Sequence, residues 1–155
     1  MITKLEKIKA KYGEFEYKEI GGGFIKIEDS WVKSNIISLN LPIIGMVKCH
    51  KDIAWALSRV FSHIEYSGDD ITLIDINDTK KNGGCWVARH QLFDTNKPLS
   101  YHSWGIAIDI NPTTNGYGKE PTPEMILLSR YFKDVGFDFG GDWQTPDGMH
   151  MEIKI

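Results

Sequence analysis

The sequence predicts a single α+β domain, with helices packed on one side of a small, mainly antiparallel sheet. Three observations carry this. The chain has 155 residues, the size of one domain, and such a chain buries about 68–70% of its unfolded surface. Two segments, 50–64 and 122–136, carry helix signals: apolar residues at helical spacing in the first, cap residues in the second. Short alternating segments bounded by glycines supply the strands.

The elements follow in order. Phe15 to Ile20 and Phe24 to Ile27 flank Gly21-Gly22-Gly23 and read as a hairpin. Residues 1–44 are read as an N-terminal arm with this hairpin, and 45–155 as the core of the domain. A helix is expected from His50 to Ile64, where Ile53, Leu57, Val60 and Ile64 recur on one face and Gly68 ends the region. Ile71 to Ile76 reads as a strand. The second helix is marked by Thr122 as N-cap, Pro123 at its first position, Glu124 in its first turn and Gly136 beyond its end. Residues 80–118 and 136–150 are loop-like, and long loops are often functional.

Charge and composition narrow the function. Lys and Arg total 18 against 21 Asp and Glu, a net charge of −3. That balance argues against nucleic acid and against an anionic membrane as partners. The chain is 41% hydrophobic and 12% aromatic, which excludes a disordered chain. No apolar run approaches the ~18 residues of a membrane span. The charged start, Met1 to Lys9, lacks the apolar core of a signal peptide, so synthesis in the cytoplasm is expected. Cys49 and Cys85 are too few for a disulfide framework and fit no cysteine zinc motif; two free thiols are expected, with pairing left open.

Two motifs carry chemistry. The first runs Ser100-Tyr101-His102-Ser103-Trp104-Gly105-Ile106-Ala107-Ile108-Asp109. From Trp104 onward, Trp104, Ile106 and Ile108 take one strand face, and Gly105, Ala107 and Asp109 the other. His102 has the wrong parity to join Asp109 on a continuous strand, so convergence requires it to sit in a turn before the strand. The second motif runs Asp147-Gly148-Met149-His150-Met151-Glu152 to Ile155 and reads as a C-terminal strand, with His150 and Glu152 on its polar face. Together the motifs offer His, Asp, His and a spare carboxylate. Three N/O ligands with an open position describe a catalytic zinc site, and a spare carboxylate suits a general base. Plain hydrogen-bonded histidines are the competing reading at this point.

At these residues the sequence resembles the zinc D-alanyl-D-alanine carboxypeptidase / L-alanyl-D-glutamate endopeptidase family. Ser100, His102, Gly105, Ala107 and Asp109 match its first motif, and Asp147, His150, Met151 and Glu152 its second. Gly136 to Trp143 matches the lead-in to the second motif, and Arg89 stands where the family carries an arginine. The resemblance spans about residues 45–155.

The resemblance implies a fold like that of the DD-peptidases and their hedgehog relatives. It implies zinc held by His102, Asp109 and His150, with Asp147 as the base that activates water. It implies Arg89 as a holder or polariser of a substrate oxygen. Ser100 is read as bonding within its turn or to substrate, and Trp143, in its glycine-rich loop, is weighed as a cleft wall for the substrate. The expected activity is hydrolysis of peptidoglycan stem peptides beside a D-amino acid, in the manner of an endolysin L-alanyl-D-glutamate endopeptidase. Action at the cell wall after holin-type release, and a monomeric state, are expected with it. The alternatives are a D-alanyl-D-alanine carboxypeptidase and a non-catalytic zinc-containing wall-binding domain.

The remaining candidates have plainer readings. His50 and His63 are read as surface or capping residues. His90 neighbours Arg89 and is weighed as a cleft residue. Glu152 is either a partner of a ligating histidine or a solvated edge charge. Trp104 shares parity with Ile106 and Ile108 and is read as core.

Overall fold

The computed structural model describes residues 1–155. It is an α+β fold of five α-helices and three small antiparallel sheets, as the pattern predicts. Helix α1 spans Lys4–Tyr12 and opens on a capping box between Thr3 and Glu6. Strands β1 (Tyr17–Gly21) and β2 (Phe24–Ile27) form the expected hairpin. Helix α2 (Asp29–Asn35) leads into a second hairpin, β3 (Ile36–Leu41) with β4 (Gly45–His50). Neither α1, α2 nor this second hairpin was expected from the pattern.

The first expected helix begins four residues later, at Ala54 instead of His50, because Lys51–Ile53 forms a 3-10 turn before α3 (Ala54–Ser67). Its apolar stripe of Leu57, Val60, Phe61 and Ile64 is fully buried. Ile71–Ile76 is not a strand. Asp70–Leu73 is a 3-10 turn, and Asp75 caps α4 (Ile76–Asn82) by accepting from the Asp78 N–H. The Ser67 hydroxyl accepts from Asp70 N–H and the Asp78 carboxylate accepts from Asn82, so local side-chain bonds on both sides favour turn and helix over a sheet ladder. Helix α5 (Pro123–Lys133) starts as predicted, its Thr122 cap accepting from Met125 N–H.

The sheet that matters for function has the order β5-β7-β6. Strand β5 is Ala107–Asp109, β6 is Phe137–Phe139 and β7 is His150–Ile153. The central strand β7 pairs antiparallel with both neighbours, and its register sets Asp109 directly opposite His150. Phe61 and Phe137 each pack edge-on against Phe132, joining α3, α5 and β6 over the core.

Residues 1–44 share that core. Ile8, Tyr12, Phe15, Ile25, Ile27 and Trp31 are buried in it. Trp104 Nε1 donates to the Gly13 carbonyl at 2.9 Å, and its ring packs at a tilt against that of Phe15. No helix is long and apolar enough to cross a membrane.

Candidate metal centre and cleft

Local sequence sets the first histidine. Tyr101–Trp104 is a 3-10 turn, as the parity argument requires, and Ser100 caps it by accepting from His102 N–H. Gly105 ends the turn at φ +67°, and a Cβ there would lie 2.8 Å from the His50 backbone nitrogen. Glycine alone allows both the left-handed turn and that close approach. The chain then enters β5, which delivers Asp109. Asp147 lies in the turn before β7, its N–H bonded to the Gly140 carbonyl at 2.8 Å and its own carbonyl accepting from His150 N–H.

Three of the predicted residues converge. Donor atoms of His102, Asp109 and His150 all lie within 4.8 Å of one another. His102 Nε2 stands 3.1 Å from Asp109 Oδ2, and His150 Nδ1 stands 3.1 Å from Asp109 Oδ1. A tetrahedral zinc with bonds of ~2.0–2.2 Å needs donors separated by about 3.3–3.5 Å. Both imidazole–carboxylate spacings are within a few tenths of an ångström of that, and the two imidazole donors lie within 4.8 Å of each other.

Each ring is held by its far nitrogen. His102 Nδ1–H donates to the Cys85 carbonyl at 2.7 Å. His150 Nε2 meets Glu152 Oε2 at 2.9 Å. The facing atoms are therefore His102 Nε2 and His150 Nδ1, each free to present a lone pair. His102 Nε2 is buried without a hydrogen-bond partner. Such an orphan is costly unless something else satisfies it, and a cation at the convergence point would. The donor set thus fits zinc.

Electrostatics agree with that reading. Burial pushes the Asp109 carboxyl up, but the His102 and His150 rings outweigh it and hold it well below the usual carboxylate range. Burial lowers His150, but Asp109 and Glu152 reverse this and raise it to about 10.

The fourth group sits apart from the three donors. One Asp147 oxygen, Oδ1, is buried without a hydrogen-bond partner. Burial raises the Asp147 carboxyl, the Asp109 charge adds to this, and His150, His102 and Arg89 oppose it. A carboxylate shifted toward neutrality is suited to exchanging protons.

These groups open onto a cleft of about 860 Å³. Asp109, Asp147 and His150 line it together with Arg89, Ser100 and Trp143, so every predicted site residue except His102 reaches the cleft wall. His102 lies behind, 1% exposed. Trp143 is 39% exposed, with its ring 5.5 Å from that of His150. Arg89 is partly buried; burial lowers its pKa against the opposing charges of Asp109 and Asp147.

His90 does not face the cleft. It is buried between Glu19 Oε1 at 2.6 Å and the Lys97 carbonyl at 2.7 Å. His50 is buried, not on the surface, and caps the turn before α3, whereas His63 is exposed. Glu152 is buried against His150 and is not a solvated edge charge.

The sequence reading missed several cleft and support positions. The Cys85 carbonyl that holds His102 has no side-chain signature, because any residue supplies a carbonyl. Leu92, Phe93, Lys97 and Tyr117 also line the cleft, as do Thr3 to Leu5 at the start of α1. Their proximity follows only from tertiary packing.

Two imidazoles and one carboxylate beside an open cleft could hold a metal ion, and the neighbouring Asp147 carboxylate could exchange protons there. The family comparison points the same way. Residues 93–153 match the family model described as D-alanyl-D-alanine carboxypeptidase. The matched stretch contains His102, Asp109, Asp147 and His150, while Arg89 lies just before it. No curated protein and no solved structure shows significant similarity to the chain.

Proposed function

We propose that this chain is a zinc-dependent peptidase that hydrolyses peptidoglycan stem peptides beside a D-amino acid, as an L-alanyl-D-glutamate endopeptidase. The observation that carries the reading is the pairing of three convergent donors with an unpartnered Asp147 oxygen in one cleft. The family match over residues 93–153 supports the substrate class. The cleft extends from these residues to the start of α1, room in which a stem peptide fits.

His102 Nε2, Asp109 and His150 Nδ1 would hold the metal. Bound there, zinc supplies Lewis acidity toward a carbonyl and lowers the pKa of water. The chain's own groups do the rest. Asp147 takes a proton from the attacking water and returns it to the leaving amine. Arg89 offers a rigid, permanently charged fork to a substrate oxygen. Glu152 and the Cys85 carbonyl keep the two imidazoles in the tautomers that the donors need. Trp143 supplies an apolar wall for the peptide.

The test is incubation of the zinc-loaded protein with purified peptidoglycan, with and without a chelator, followed by mass spectrometry. Chelator-sensitive release of new L-Ala and D-Glu termini is expected. Release of D-Ala alone would transfer the reading to a carboxypeptidase. Retained zinc with no product from several walls would leave a binding domain. Asp147→Ala is expected to lower turnover by about 10²–10⁴-fold with zinc still bound; loss of the zinc would make Asp147 a ligand instead.

A further inference from the structure

Arg89 has an unusual support. Its guanidinium lies 4.5 Å from the Phe93 ring centroid, in cation–π contact. Its one hydrogen bond to protein runs from Nη1 to the His90 carbonyl at 3.2 Å, and no carboxylate forms an ion pair with it. The remaining donors of the fork are free for a ligand. The aromatic face therefore does much of the work of fixing the side chain.

Phe93 is itself held at a cost. Leu92 and Phe93 lie at φ +51° and +57°, two successive left-handed residues with side chains beyond Cα. Such strain persists only where surroundings over-determine it. The surroundings here come from the N-terminal hairpin. Phe24 forms an antiparallel bridge with Arg89, Ile25 N–H donates to the Ala88 carbonyl, and His90 N–H donates to the Gly23 carbonyl. The Phe24 ring lies 5.1 Å from that of Phe93. At Gly23 a Cβ would fall 2.2 Å from the Phe93 carbonyl oxygen, so only glycine lets the hairpin come this close. Phe24 and Phe93 are 42% and 48% exposed, too open for their stacking to be a matter of core packing.

We infer that Phe93 is a positioning residue for Arg89, and that the β1–β2 hairpin, through Gly23 and Phe24, holds Phe93 in that role. The hairpin lies outside the family-matched stretch, so a segment separate from the metal motifs sets how the cleft presents its arginine. The kinetic part of this inference rests on the peptidase reading above.

The zinc-loaded protein is assayed on a stem peptide as Phe93→Leu, Phe93→Tyr, Arg89→Lys and the double variant Phe93→Leu/Arg89→Lys. Phe93→Leu is expected to lower kcat/KM about tenfold, and Phe93→Tyr to restore it. The double variant is expected to be no worse than Arg89→Lys alone, because the two residues act as one unit. Additive losses, or an unchanged Phe93→Leu enzyme, would overturn the assignment.

The Arg89 Nε–H resonance provides a readout free of activity. Its ring-current shift should collapse in Phe93→Leu and move in Gly23→Ala and in Phe24→Ala, the last of these covering a failure of the glycine variant to fold. If the wild type cleaves no stem peptide, the peptidase reading fails, and this resonance still decides the positioning. No movement in the folded hairpin variants would overturn the role given to the hairpin.

Discussion

At the scale of single residues, the centre depends on which nitrogen of each ring faces inward. His102 is anchored through Nδ1 by a backbone carbonyl, and His150 through Nε2 by the Glu152 carboxylate. The two anchors differ in kind. A carbonyl cannot be removed by mutation, whereas a carboxylate can. Glu152→Gln keeps the shape but removes the charge that makes the His150 ring a stronger donor. Zinc affinity measured by chelator competition is expected to fall by about 10–100-fold, the usual cost of losing such a support. An unchanged affinity would show that Glu152 does not tune the ligand. Motif spacing put His102 within reach of Asp109, and Asp147 within reach of His150, because turn parity and strand alternation within one segment are local properties. The Cys85 carbonyl and the Phe93 ring were not legible, because contact across distant segments leaves no mark at either position alone.

At the scale of elements, the β1–β2 hairpin is tied to the cleft loop by the Glu19–His90 pair. Burial pulls the His90 pKa down, but the Glu19 carboxylate and the Lys97 carbonyl outweigh it and hold it above the ordinary value of 6.5. The sign follows from linkage. A group whose folded pKa is raised stabilises the fold fully below its unfolded pKa, and the contribution fades as pH rises through the folded value. Urea midpoints measured between about pH 6 and about pH 9 should therefore decline more steeply in the wild type than in Glu19→Gln. Parallel profiles would mean that the pair adds nothing. The hairpin was readable from its glycine run and the α5 start from its Thr-Pro cap, both strong local signals. Ile71–Ile76 misled because its apolar alternation matches a strand, while the Asp75 side chain caps α4 and starts a helix there instead.

At the scale of the whole molecule, α1 and the hairpin close over the same core that carries the metal motifs. Trp104, four residues before Ile108 and two after His102, is pinned to Gly13 near the start of the chain. Packing of the first 35 residues and the geometry of the centre are thus physically joined. Metal binding to the folded protein alone should stabilise the whole. At zinc one hundred times above its dissociation constant, the gain is about 2.7 kcal/mol, read as a rise in the unfolding midpoint that chelator reverses. His102→Ala is expected to lose that rise; a rise that survives would place the zinc elsewhere.

Sequence by itself determined the α+β class, the hairpin, the start of α5 and the two motifs that bear the donor residues. Each is a matter of periodicity, capping or spacing within a few residues, where chain geometry leaves few choices. Tertiary structure alone decided the rest. It brought the two motifs together through the β5–β7 register, buried Glu152 against His150, and put the N-terminal hairpin under Phe93 and Arg89. Those arrangements join residues tens of positions apart, and their energies come from burial and cross-strand pairing that no local pattern encodes.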